Sequence, residues 1–162
     1  MSQKEEWKKI KLTGKHGIGK VTIVDSDDFE MLNKRPWHLN ANGYVRGAVK
    51  KDGKSTTIPI HRVIMNAQKG QEIDHKNNDK LDNRKENLRF CTRSQNNANQ
   101  SVRGKTSKYK GVFFHKKRGK WASSFDYKWI GYFDDEIEAA KAYDVKALER
   151  YGEFAKINFK QL

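Results

Sequence analysis

Ile73-Asp74-His75-Lys76, a polar loop, Asn87-Leu88-Arg89-Phe90-Cys91 and then Ser94-Gln95-Asn96 make up the stretch whose reading decides the fold. Glu72 to Lys76 reads as a strand, Asn77 to Glu86 as a turn-rich loop, Asn87 to Cys91 as a returning strand, and Arg93 to about Gln100 as a short helix. The unit is therefore ββα, over about residues 72–100. Its helix is weak by propensity, because Asn96, Asn97 and Asn99 are poor helix formers. Asparagines kept there against propensity point to a use for their side chains.

Those residue types suit one reaction. Water at neutral pH attacks a phosphodiester too slowly unless its proton is removed, and imidazole titrates nearest the working pH, so His75 is the candidate general base. The departing sugar oxygen gathers negative charge, which a divalent cation bridging it and a phosphate oxygen can stabilise. One Mg²⁺ or Mn²⁺ ion favours hard oxygen ligands, offered here by the Asp74 carboxylate and the Asn96 amide. Successive strand residues face opposite ways, so Asp74 and His75 can serve metal and water from neighbouring directions. Asn87 would tie the loop backbone or fix the His75 ring by hydrogen bonding. Against this, Asp-Asn-rich loops often do no more than make Asx hydrogen bonds, and a lone Asp-His pair is more often structural. Several such elements in order within one compact unit favour the catalytic reading.

Ile60-His61-Arg62-Val63-Ile64, Ile73-Asp74-His75-Lys76-Asn77-Asn78, Leu81-Asp82-Asn83, Glu86-Asn87-Leu88-Arg89 and Asn96 together resemble the HNH homing endonucleases of phages, over roughly residues 20–100. By position, His75 matches the family's first His, Asn87 its middle Asn and Asn96 the place of its last His. An Asn there is a known variant of the pattern. The resemblance implies a ββα-metal (His-Me finger) nuclease domain and residence in a phage or mobile intron. For His61, contact with phosphate and a packing or hydrogen-bonding role are both open. His16, His38 and His115 form no constellation of their own.

Composition bounds the partner. Lys plus Arg number 34 against 20 Asp plus Glu, for a formal charge of +14 and a pI near 9.8. Such a field draws polyanions and gives salt-sensitive binding, so nucleic acid is the leading partner. No transmembrane-length apolar stretch and no basic helix with a clean apolar face favour a membrane, and Met1 to Ile10 is too charged for a signal-peptide core. The expectation is a monomer without obligatory protein partner, cytoplasmic in a bacterial host cell and on its DNA, not secreted. With Cys91 alone, the chain has no internal disulfide and no zinc ribbon, and Cys91 in its apolar strand reads as core rather than nucleophile. Only 35% of residues are apolar and 33% charged, which favours two or three small units over one large core.

Upstream of residue 60 the chain reads as a small antiparallel meander. Its strands are Lys20–Val24, Trp37–Asn40, Tyr44–Val49 and Thr56–Ile60, with a helical turn at Asp27–Leu32 and tight turns at Asn42-Gly43 and Asp52-Gly53. Trp37 and Tyr44 read as core. The meander runs into His61-Arg62 and so scaffolds the ββα unit.

Past Asn99, residues 101–107 have linker composition. Arg103 to Lys120 then holds eight basic residues and no acidic one, bordering a strand with Tyr109, Phe113 and Phe114. Three strands follow, Tyr109–His115, Lys120–Asp126 and Trp129–Phe133, with hairpin-length connections. Asp135 with Glu138 has capping-box spacing, and an Ala-rich stripe runs to Gly152. Trp121, Phe133 and Tyr143 read as packing between sheet and helix.

Tyr109-Lys110-Gly111-Val112, Gly119-Lys120-Trp121-Ala122, Trp129-Ile130-Gly131-Tyr132-Phe133, Glu138 to Asp144 and Ala155 to Phe159 resemble the ethylene-response-factor (Apetala-two) DNA-binding domain, over nearly all of residues 107–160. In that family the sheet lies in the major groove. By position the resemblance carries over Lys110, Lys120, Lys128 and Trp129 as DNA contacts, to which the basic run adds Arg103, Lys105, Lys108, Lys116, Lys117 and Arg118. Phe113 and Asp126 stand where the family often has Arg, so base preference does not transfer.

The expected architecture is α+β: a β-rich scaffold with an HNH nuclease unit over 1–100, a linker over 101–107, and a three-stranded antiparallel sheet plus helix over 108–162. The expected function is metal-dependent nicking or cleavage of double-stranded DNA. The alternatives are a transcription regulator with a degenerate nuclease domain and an RNA-binding protein. The Asp74, His75, Asn87 and Asn96 set argues against the first, and sheet readout in a wide groove against the second.

Overall fold

The computed structural model describes residues 6–51, 53–101 and 106–159. They fall into two compact units, Met1–Thr92 and Arg93–Leu162.

In the first unit a five-stranded sheet runs in the order β2-β1-β3-β4-β5, with β1 Trp7–Thr13, β2 Val21–Asp25, β3 Trp37–Leu39, β4 Val45–Lys51 and β5 Lys54–Pro59. The sheet is mixed, not the antiparallel meander that the sequence suggests. β1 is paired antiparallel to β2 but parallel to β3, through Leu12 opposite Trp37 and Thr13 opposite His38. A parallel neighbour needs a long crossover, and β2 with helix α1 (Ser26–Leu32) supplies it. The lysines of β1 mask it in the sequence. Only Ile10 and Leu12 turn inward, alternating with exposed Lys9 and Lys11.

Trp37 is the centre of the core. It is fully buried, and its indole Nε1 donates to the Leu32 carbonyl at 2.8 Å. Its ring lies across Gly47, its cross-strand partner, where an added Cβ would come within 2.9 Å of the ring. Replacing Trp37 with Ala would cost about 3–5 kcal/mol. Ile60 and Ile64 of α2 (Ile60–Ile64), Ile73 of β6 (Glu72–His75) and Leu88 of β7 (Leu88–Cys91) join the same cluster. The antiparallel β6–β7 pair thus shares one core with the sheet. That common core is what lets the sheet fix the position of Asp74 and His75.

The second unit holds α3 (Arg93–Asn99), an antiparallel sheet in the order β10-β9-β8, and α4 (Glu136–Tyr151). The strands are β8 Val112–His115, β9 Lys120–Phe125 and β10 Lys128–Phe133. β8 starts later than its sequence suggests, because Gly111 at φ +76° turns the chain beneath Tyr143, leaving no room for a Cβ. Asp135 caps α4 by accepting from the Ile137 and Glu138 amides at 2.8 and 3.0 Å, and Gly152 at φ +50° ends it. Ala139 and Ala140 pack against Val112, Trp121 and Phe133. The Asp144 carboxylate, fully buried, accepts from the Asn158 and Phe159 amides and from Asn158 Nδ2, at 2.8–3.0 Å. Those bonds clamp the C-terminal segment onto α4. Among the described residues, no helix is long and apolar enough to cross a membrane.

Candidate active site

β6 carries Asp74 and His75 on opposite faces, and both are buried. Asp74 sits opposite Arg89 in the β6–β7 register, and Arg89 donates to Asp74 Oδ2 through Nε at 2.9 Å and Nη2 at 2.8 Å. The guanidinium fixes the direction of the carboxylate.

His75 Nε2 lies 3.2 Å from Asn83 Oδ1. The tautomer follows from the surrounding donors. Asn83 Nδ2 is 3.0 Å from the Lys80 carbonyl, which can only accept, so the other end of the amide, facing His75, is the oxygen. An amide oxygen also only accepts. His75 Nε2 therefore bears the hydrogen and Nδ1 carries the basic lone pair. Burial lowers the His75 pKa, against a smaller raising effect of the Asn83 bond and nearby carboxylates, so the ring is neutral at pH 7.

Two further rings surround His75. His61 of α2 meets it edge-on at 5.2 Å, and Tyr44 lies 5.7 Å from His61 and 6.4 Å from His75. Burial, then the neighbouring His75, Arg62 and Arg46, push His61 down to about 3. Its ring packs between those of Tyr44 and His75. Tyr44 is half-buried beside the site, not in the core, with Lys80 Nζ 4.1 Å above its ring.

The loop between β6 and β7 is held from both sides. Asn87, buried, accepts from the Asn77 amide at 3.0 Å and donates to the Asp82 carbonyl at 2.8 Å. Of the two roles its sequence allows, it takes the loop tie, and Asn83 takes the His75 ring. Asn83 Nδ2 also donates to Thr22 Oγ1 at 2.9 Å, and Thr22 donates to the Leu81 carbonyl at 2.7 Å. Backbone bonds from Ile23 N to Leu81 O and from Asn83 N to Ile23 O, each 2.9 Å, sew the loop to β2. Asp82, kept below the ordinary carboxylate range chiefly by its hydrogen bond from Arg84, ties that arginine down.

The donor chemistry fits a hard cation. Asp74 offers carboxylate oxygen, a hard donor, and among the described residues no three His, Cys, Asp or Glu side chains converge. The Cys91 thiol, pushed up to about 11 by burial and then by Asp74 and Glu72, is no thiolate competitor. Asn96 is carried by α3 in the second unit.

Of the other expected contacts, Arg103 and Lys105 lie outside the described residues, as does most of the 101–107 linker. Lys108, Lys116, Lys117, Arg118, Lys128 and Trp129 are exposed. Lys120 bridges Asp134 at 2.9 Å. Lys110 is half-buried with its ammonium on the Ala98 carbonyl, and burial lowers it to about 8. Sequence reasoning counted Asn83 and Arg89 among the motif residues without giving either a role at the site, and read Tyr44 as core. The strand register could have paired Asp74 with Arg89, whereas the contacts of Asn83 with His75 and of Tyr44 with His61 are set by the fold.

Comparison with known proteins bears on this segment. Residues 59–98 match the HNH endonuclease family model. An uncharacterised HNH endonuclease of Acanthamoeba polyphaga mimivirus is 28% identical over 149 residues, covering 88% of this chain and 76% of the relative. A solved structure described as DNA binding and cleavage by the HNH homing endonuclease I-HmuI is similar at 31% identity, with a TM-score of 0.37, over 41% of this chain and 41% of that one. The shared part is less than half of either. The family-model match and the viral relative support an HNH endonuclease domain here. They support nuclease activity in general.

Proposed function

We propose that the protein is a metal-dependent HNH homing endonuclease that hydrolyses a phosphodiester bond of double-stranded DNA. The observation that carries this reading is the buried His75 next to Asp74 on β6, its ring held through Nε2, 3.2 Å from Asn83 Oδ1. His75 takes a proton from the attacking water through Nδ1. Asn83 holds the ring, and Asn87 holds the loop that carries Asn83. Asp74, oriented by Arg89, and Asn96 would hold one Mg²⁺ or Mn²⁺. Bound there, the ion supplies charge stabilisation at the leaving oxygen and the phosphate. A 5′-phosphate and a 3′-hydroxyl result. The second unit supplies DNA affinity through its basic turn and sheet.

The test is cleavage of phage or intron-flanking duplex DNA with and without Mg²⁺, by wild type, His75→Ala and Asp74→Ala. Each variant should cut at least about a hundredfold more slowly while His75→Ala binds DNA as tightly as wild type. Binding without metal-dependent cleavage by the wild type would instead make the protein a regulator.

A further inference from the structure

Among the described residues, one face of the second unit's three-stranded sheet keeps large aromatic rings exposed. The register puts Phe113, Ala122 and Tyr132 in one row and Ser124 opposite Trp129 on the same face. Phe113, Trp129 and Tyr132 are 38%, 49% and 37% exposed, large values for rings. They touch one another, Trp129 lying 4.4 Å from Tyr132 and 6.4 Å from Phe113. The other face, with Val112, Trp121 and Phe133, is closed by α4. These exposed rings are thus not core residues seen from outside.

The cations sit at the rim. Lys116, Lys117 and Arg118 form the β8–β9 turn, with Arg118 stacked 4.7 Å from the Tyr132 ring, and Lys128 opens β10. This arrangement separates two jobs. Rim cations suit phosphates, which position a protein without reading sequence. Arg118 lies over Tyr132 and Lys120 is held by Asp134, whereas Phe113 and Trp129 carry no group able to pair with guanine O6 and N7. Phe113 and Trp129 present apolar carbon, and the one apolar group on a base edge in the major groove is the thymine C5-methyl.

We propose that this sheet face reads duplex DNA by packing Phe113 and Trp129 on thymine methyl groups, and so selects thymine-bearing steps over guanine. This rests on the second unit being a duplex-DNA binder.

The test uses the full-length protein in EDTA, so that binding is measured without cutting. The tightest-bound duplexes are selected from a randomised pool and resynthesised with deoxyuridine for every thymine, which removes only the methyl. Affinity should fall about fourfold for each methyl contacted. Phe113→Ala and Trp129→Ala, at exposed positions where folding is retained, should shrink the difference, whereas Lys117→Ala should weaken both duplexes equally. Equal affinity for the thymine and uracil duplexes overturns the inference while leaving DNA binding intact, as does tighter binding to the single strands. Failure to bind any duplex overturns the DNA-binding reading together with it.

Discussion

The Asn83 amide faces His75 with its oxygen, 3.2 Å from Nε2, because its nitrogen is committed to the Lys80 carbonyl and to Thr22. A residue eight positions along the chain thereby decides which nitrogen of the His75 ring carries the hydrogen. The polarity continues to the Leu81 carbonyl through the Thr22 hydroxyl, so each group in the relay has one role.

Asn83→Ala removes the acceptor that holds Nε2–H. Single-turnover cleavage at saturating DNA and Mg²⁺ should slow about ten- to a hundredfold, and the melting temperature should fall, as stranded buried partners cost about 1–3 kcal/mol. Asn83→Asp keeps an acceptor toward the ring and should recover part of the rate. Full activity in Asn83→Ala would mean that His75 needs no fixed tautomer.

An amide oxygen is a hard ligand and imidazole a softer one. Asn96→His should therefore raise cleavage with Mn²⁺, Co²⁺ or Ni²⁺ relative to Mg²⁺. An unchanged metal profile, with Asn96→Ala fully active, would assign the ligand to another residue.

His61 gives a signature in stability. Its folded pKa is about 3, and the unfolded side chain titrates near about 6.5. Between those values the unfolded chain binds a proton that the folded chain does not, so stability falls as the pH drops through the window. From pH 7.5 to pH 5 this single group should remove about 2 kcal/mol. His61→Phe should lose that much less than wild type in urea unfolding at the two pH values. Parallel losses would place His61 in contact with water.

The β9–β10 hairpin turns on Asp126 and Tyr127, at φ +50° and +60°. Both sit in the left-handed region, where a side chain is disfavoured and such turns prefer Gly at the second position. Tyr127 is fully exposed, so its ring loses no packing when removed. Tyr127→Gly should stabilise the protein by about 0.5–1 kcal/mol in denaturant titration. A loss would show that the ring makes contacts the turn needs.

How far the sequence could be read depended on whether a signal was local. Alternation and turn residues placed the β6–β7 pair, the three C-terminal strands and the cap at Asp135, because each is written within a few positions. β1 was illegible: its partners are chosen by a crossover spanning β2 and α1, and its lysines outnumber its inward Ile10 and Leu12. Asp74 and His75 could be proposed from type and spacing, but the residues that hold them could not. Asn83 looks like any loop asparagine until β2 brings Thr22 against it, and Tyr44 looks like core until α2 brings His61 alongside.

β2 ends the five-stranded sheet, so its outer backbone groups would lie open to another chain. The loop at Leu81–Asn83 covers that edge, pairing with Ile23 on both its amide and its carbonyl. The segment that steadies the His75 ring is therefore also a guard against strand addition between molecules. A deletion through residues 80–84 made to silence the nuclease would expose the flank of β2, and the protein would be lost to aggregation before its activity could be assayed. Point substitution at His75 leaves the guard in place.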